Sequence, residues 1–142
     1  MASVERMVVW QLADELRRGA YELAMRPTVR RDFRFAGQFQ DCAASISRNV
    51  AEGFGRIRPR EFTQFLFIAR GSTSELQDHL TDGITRGHWT ADDIRESRVR
   101  CLQVLSAIDS LIGYLRTPEA EEAAAAVLKR RAQGTDRKKR EN

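Results

Sequence analysis

Residues 36–50 read Ala36-Gly37-Gln38-Phe39-Gln40-Asp41-Cys42-Ala43-Ala44-Ser45-Ile46-Ser47-Arg48-Asn49-Val50. Ala36, Phe39, Ala43, Ile46 and Val50 recur in steps of three and four, the spacing that gathers apolar side chains on one face of an α-helix. The alternation is also that of a seam between packed helices. Phe62, Leu66, Ala69, Thr73, Leu76, Leu80 and Ile84 repeat the pattern downstream. Pro59, ahead of them, suits a first helical position, where its missing N–H had no intrahelical partner to lose. No stretch of period-two alternation competes, so the chain reads as all-α.

Val9, Leu12, Leu16, Ala20 and Leu23 form an earlier stripe, ended by Met25-Arg26-Pro27-Thr28, because a proline turns the preceding residue away from helical geometry. Ile94, Cys101, Leu105, Ile108, Ile112 and Leu115 form a later one. Before it, Gly87-His88-Trp89 closes one helix and Thr90-Ala91-Asp92-Asp93 offers a cap with acid near the positive dipole end of the next. Gly53 and Gly55 are expected to supply the left-handed cap after the second helix. The connections near 55–59 and 86–90 are short, which favours antiparallel neighbours; that from Arg26 to Phe33 is longer. The pattern predicts an antiparallel up-down-up-down four-helix bundle over residues 1–117. Residues 118–142 follow Thr117 as cap and start with Pro118-Glu119, ahead of an alanine run. So short a segment is marginal alone, so a short fifth helix is expected, followed by a disordered basic tail at Arg137-Lys138-Lys139-Arg140.

The 142 residues suit one domain, and 42% apolar content is enough for a core. No run approaches the roughly 18 apolar residues of a membrane span, and the amino terminus lacks the pattern of a secretory signal. Cys42 and Cys101 are too few for a disulfide framework and lack the companions of a structural zinc site. They read as small core residues in a reducing cytoplasm. The 24 basic and 20 acidic residues give +4, a balance that permits a nucleic-acid partner without demanding one.

Chemistry-bearing constellations are scarce. Di-metal carboxylate bundles need Glu-x-x-His on two helices, whereas His79 and His88 have no Glu three residues before them. Glu75 and His79, four apart, can pair on one face, but one pair is not a di-metal site. His79 reads as solvated or cap-forming, and His88, beside Trp89, as turn packing. No phosphate loop, H-E-x-x-H motif or nucleophile elbow is present. Arg70-Gly71-Ser72-Thr73-Ser74 falls inside a helix, where Gly71 suggests close approach of a neighbour and the hydroxyls can bond back or across. No catalytic residue, cofactor or metal is assigned. What remains is arginine: residues 1–117 hold 17 Arg and no Lys. Arg56, Arg58 and Arg60 cluster in one turn, with Arg48 two helical turns earlier, and Arg30, Arg31 and Arg34 form a second group. Guanidinium groups suit bidentate phosphate contacts; merely solvated loop charge is the bland alternative.

The stretch Ala43-Ala44-Ser45-Ile46-Ser47-Arg48-Asn49-Val50-Ala51-Glu52-Gly53-Phe54-Gly55-Arg56 carries a resemblance. With Glu61-Phe62-x-x-Phe65-Leu66-x-Ile68-Ala69-Arg70-Gly71-Ser72-x-x-Glu75-Leu76, and Val9-Trp10-Gln11-x-Ala13-x-Glu15-Leu16 at the opening, it resembles the four-helix-bundle family of proteins encoded by intervening sequences in 23S ribosomal RNA genes. The resemblance covers about residues 8–116, with Asp14 where many members carry histidine. It implies an antiparallel four-helix protomer that assembles into a homopentamer. The same fold is used by the accessory variability determinant (Avd) of diversity-generating retroelements, which works with a reverse transcriptase and nucleic acid.

These readings set the expectations. Asn49, Glu52, Gly53, Gly55, Arg70 and Gly71 are structural, with Glu52 paired to an arginine such as Arg70. Trp10, Phe33, Phe35, Phe54, Phe65 and Phe67 lie beside or off the seams and are expected to be buried against another subunit. Function is expected to be non-enzymatic: a cytoplasmic oligomer that binds RNA or DNA through Arg48, Arg56, Arg58, Arg60, Lys138 and Lys139. It would have no membrane partner and could serve as accessory to a reverse transcriptase. The alternative is a protein-interaction scaffold without direct nucleic-acid binding.

Overall fold

A computed structural model describes residues 7–141. These residues form six helices and no strands: α1 (Val8–Ala24), α2 (Pro27–Arg31), α3 (Phe33–Arg56), α4 (Pro59–Thr85), α5 (Arg95–Leu115) and α6 (Pro118–Arg140). Two of them differ from expectation. The long first connection contains α2, started by Pro27 and anchored by buried Val29. The carboxyl-terminal segment is neither short nor disordered: α6 is one helix of 23 residues that includes Lys138 and Lys139. Its length follows from its ends. The Thr117 hydroxyl accepts from the Ala120 N–H at 3.3 Å, Glu119 and Glu121 lie in the first turn, and four basic residues fill the last. Strong helix formers occupy the middle.

The apolar stripes converge as their spacing requires. α1 packs on α3 and α5, and α4 packs on the same two helices, so the four close a ring of helix–helix packing. Leu16, Phe39, Ile46, Leu66, Leu76, Leu80 and Ile108 are fully buried at its centre. The stripes drift because 3.6 residues per turn does not match a strict seam. Val104 is buried more completely than Leu105, and Ile84 is exposed while Gly83 faces inward. α6 buries only Ala120 and Ala124 fully, and its basic half is solvated. No described helix is long and apolar enough to cross a membrane.

The connection from α4 to α5 is held by aromatic packing. Trp89 is buried, its Nε1–H donates to the Leu80 carbonyl at 2.8 Å, and its ring lies 5.2 Å from Phe39 and 5.7 Å from Phe35. The indole occupies the place where a side chain on Gly83 would stand, since a Cβ there would come within 2.1 Å of it. Gly87 takes the left-handed turn with φ 77°. Thr90 and Asp93 exchange backbone and side-chain hydrogen bonds at 2.8 and 3.3 Å, a reciprocal cap before α5.

Phe35 is therefore buried within the chain's own core, and Trp10 and Phe54 pack against it. Phe35 corrects the expectation that the off-seam aromatics await another subunit; Trp10 and Phe54 stay partly exposed, and Phe33 and Phe67 are exposed.

Candidate nucleic-acid interface

The turn between α3 and α4 is made by Ile57 and Arg58 alone. Ile57 has φ 72° and ψ −49°, and the Arg58 N–H donates to the Arg56 carbonyl at 2.8 Å. This is a three-residue γ-turn of the rare positive-φ kind, unfavourable for a β-branched residue. Pro59 then starts α4. The left-handed residue is thus Ile57 rather than a glycine, and Gly53 and Gly55 both lie inside α3. Gly53 serves packing: a Cβ would stand 2.9 Å from the Phe65 Cβ and 3.1 Å from the Phe62 carbonyl. Gly55 faces open space.

This geometry sorts the arginines. Arg48 and Arg56 line one shallow groove with Glu52 and Gly55. Arg60 lines another with Arg116 and Glu121, where α6 leaves α5. Arg58 is exposed between them in sequence. Arg48, Arg58 and Arg60 make no ion pair among the described residues, so their guanidinium groups are open to an external anion. Arg56 is engaged: its Nε–H donates to Glu52 at 3.0 Å, and its guanidinium lies 5.4 Å over the Phe65 ring. Lys138 and Lys139 are not gathered into this cluster. They lie 18 and 19 residues along α6 from buried Ala120, about 27 Å at helical rise. Arg30, Arg31 and Arg34 are exposed around α2 and the start of α3.

The remaining motif residues are structural, with different partners than expected. Glu52 pairs with Arg56 instead of Arg70, because the next turn of its own helix is nearer. Arg70 reaches from α4 to Asp109 on α5 through two hydrogen bonds of 2.9 and 3.4 Å. That contact holds the Asp109 carboxyl below its usual range and raises the guanidinium. Asn49 is half-buried and donates to the Ser45 carbonyl of its own helix at 2.7 Å. Gly71 is exposed, and a Cβ there would meet nothing within 4 Å, so no neighbouring helix explains it. The adjacent hydroxyls do bond back and across: Thr73 donates to the Ala69 carbonyl at 2.8 Å, and Ser45 to Ser72 at 2.6 Å.

Several charged groups have roles hidden from the sequence. Asp14 is buried and held by Arg17 and Arg18 of its own helix. Asp32 collects the His88 ring at 2.8 Å and Arg86 at 3.0 Å; His88 foremost, with Arg86, holds its carboxyl below the ordinary range. His79 is not solvated. Its side chain is 15% exposed, and its ring stands edge-on to Phe35 and Phe39. It meets Glu75, as the four-residue spacing allowed, and α3 brings Cys42 to the same place. These three could hold a metal ion.

Fold and site together define an all-helical protein with unpaired arginines on either side of one tight helical turn. The family model described as 23S rRNA-intervening sequence protein matches residues 5–110, and the chain belongs to that family. The match stops inside α5 and leaves out α6. No curated protein matches the chain significantly.

Proposed function

We propose that the chain is the protomer of a non-enzymatic, cytoplasmic homo-oligomer that grips RNA or DNA phosphates through Arg48, Arg58 and Arg60. The observation that carries this reading is the division of charge. Arg17, Arg18, Arg26, Arg56, Arg70, Arg86, Arg95 and Arg100 pair with carboxylates within the chain, whereas Arg48 on α3 and Arg58 and Arg60 beside the α3–α4 turn do not. Arg30, Arg31 and Arg34, around α2, are also exposed without an ion pair among the described residues. The closed ring of packing among α1, α3, α4 and α5 supports an antiparallel four-helix bundle, and α6 adds Lys138 and Lys139 on an outlying arm. Exposed Phe67, Ile68, Val99 and Leu102 on α4 and α5 support burial against further copies. The family resemblance suggests five, and five chains at +4 make +20. Its Avd branch suggests service to a reverse transcriptase.

Titration of a structured RNA against the purified oligomer at increasing salt tests the reading. Replacing Arg48, Arg58 and Arg60 together by glutamine is expected to lower the logarithmic salt slope by roughly 2–3, at about 0.9 for each phosphate no longer neutralised. Affinity that does not change between low and high salt would refute it. Light scattering is expected to report an oligomer, and a stable monomer at micromolar concentration would remove the assembly. The exposed apolar residues also favour a second reading, a protein-interaction scaffold. An intact oligomer without salt-dependent nucleic-acid binding would support that one.

A further inference from the structure

We propose that Cys42, Glu75 and His79 form a binding site for one divalent cation of the zinc class, held between α3 and α4. The three donors, a sulfur, a carboxylate oxygen and an imidazole nitrogen, all lie within 4.8 Å of one another. Glu75 and His79 are one helical turn apart on α4 and share a face; Cys42 reaches them from α3. Tetrahedral zinc holds such donors at about 2.0–2.3 Å, so any two of them stand about 3.3–3.8 Å apart. His79 and Glu75 are already at that spacing, 3.5 Å, and the trio needs to close elsewhere by up to about 1 Å. The Glu75 side chain is 64% exposed, which leaves it free to swing inward and leaves the ion a way in.

His79 supplies the second observation. Its Nε2 is buried with no hydrogen-bond partner among the described residues and stands 3.5 Å from Glu75 Oε1. An unpaired buried nitrogen is unfavourable, and native structures usually satisfy such atoms. A cation accepting the Nε2 lone pair would do so, with the ring proton on Nδ1. Cys42 donates to the Ser72 carbonyl at 3.1 Å. Without a cation, burial foremost and the Glu75 charge push its thiol up to about 12. A bound cation reverses that balance: the thiol proton leaves to solvent and the thiolate becomes a ligand. Sulfur and nitrogen donors exclude the all-oxygen preference of calcium and magnesium. Three protein donors leave a fourth position for water or an external ligand. Cys101 lies near enough to act on the Cys42 thiol but is not among the three. The site is separate from the arginine turn and does not rest on nucleic-acid binding.

Cobalt is the spectroscopic probe. Full-length protein stripped with a chelator is expected to take up one Co²⁺ per chain, with a thiolate-to-cobalt charge-transfer band that Zn²⁺ displaces. Cys42→Ser should abolish the band and Cys101→Ser should keep it, with helicity checked by circular dichroism. Glu75→Gln and His79→Gln should each weaken Co²⁺ binding by at least about 10-fold, the low end of the cost of losing even a supporting partner. No band from the folded protein, or a band that survives Cys42→Ser, would overturn the proposal. Should Cys42→Ser fail to fold, unchanged affinity in both Glu75→Gln and His79→Gln would overturn it equally.

Discussion

The link from α3 to α4 spans two residues, Ile57 and Arg58, while that from α4 to α5 runs from Arg86 to Ile94. The longer link is wired into the body. Trp89 fills the space above Gly83, Asp32 draws in Arg86 and His88, and Arg26 crosses to Asp93 at 3.0 Å. The shorter link has no such ties around Arg48, Arg58 and Arg60. Charge at the longer link serves the fold, whereas at the shorter one Arg56 pairs with Glu52 and Arg58 and Arg60 have no ion pair among the described residues. Composition alone could not tell these arginines apart, because the distinction lies in which carboxylates the fold places within reach.

That contrast can be broken at several points. The largest effect is expected from Trp89→Ala, which removes a buried ring and its hydrogen bond and should lower stability by about 3–5 kcal/mol in denaturant titration. Gly83→Ala pushes a methyl group into the same ring and should cost about 1–3 kcal/mol. Gly71→Ala, on the same helix but facing open space, should instead stabilise by up to about 1 kcal/mol. Equal signs for the two glycines would contradict the packing described for Gly83.

A pH experiment probes the wired link. Arg26 foremost, with the Thr90 backbone and hydroxyl, holds the Asp93 carboxyl down at about 2. A depressed carboxyl contributes stability that is present above its unfolded value near 4 and lost as pH falls through about 2. Asp93→Asn should therefore lower Tm at neutral pH and match the parent below about pH 2. A difference that persists undiminished in acid would show that the ion pair is not its source. The smallest effect is expected at the other link. Exchanging Arg48, Arg58 and Arg60 for glutamine should leave stability within about 0.5 kcal/mol, since none has an internal partner to lose.

Periodicity located most of the core. Phe39, Ile46, Leu66, Leu76, Leu80 and Ile108 are fully buried where three-four spacing put them, and Pro59 and Pro118 start helices as their chemistry predicts. Long-range polar pairing was out of reach. Asp32 meets residues 54 and 56 positions away, and Arg70 meets Asp109 across 39. Neither leaves a local signal. Glycine is legible as exceptional but not in purpose: Gly53 reads as a cap and is instead a packing contact, because α4 returns directly over it. The Glu75–His79 pair is visible in its spacing, whereas the approach of Cys42 depends on how α3 lies on α4. The extent of α6 exceeds what isolated-helix stability suggests, because its cap, alanine run and charged ends act together.

The γ-turn at Ile57 bears on the proposed phosphate recognition. A flexible loop of arginines must surrender conformational freedom whenever it closes on a phosphate, and affinity falls by that amount. Here only two residues separate the helices, so the backbones of Arg56, Arg58 and Arg60 are fixed before any ligand arrives. The ordering entropy is settled during folding, in the strained φ of one isoleucine. On the proposed function, lengthening this turn with glycines should leave the charge unchanged and still weaken nucleic-acid binding.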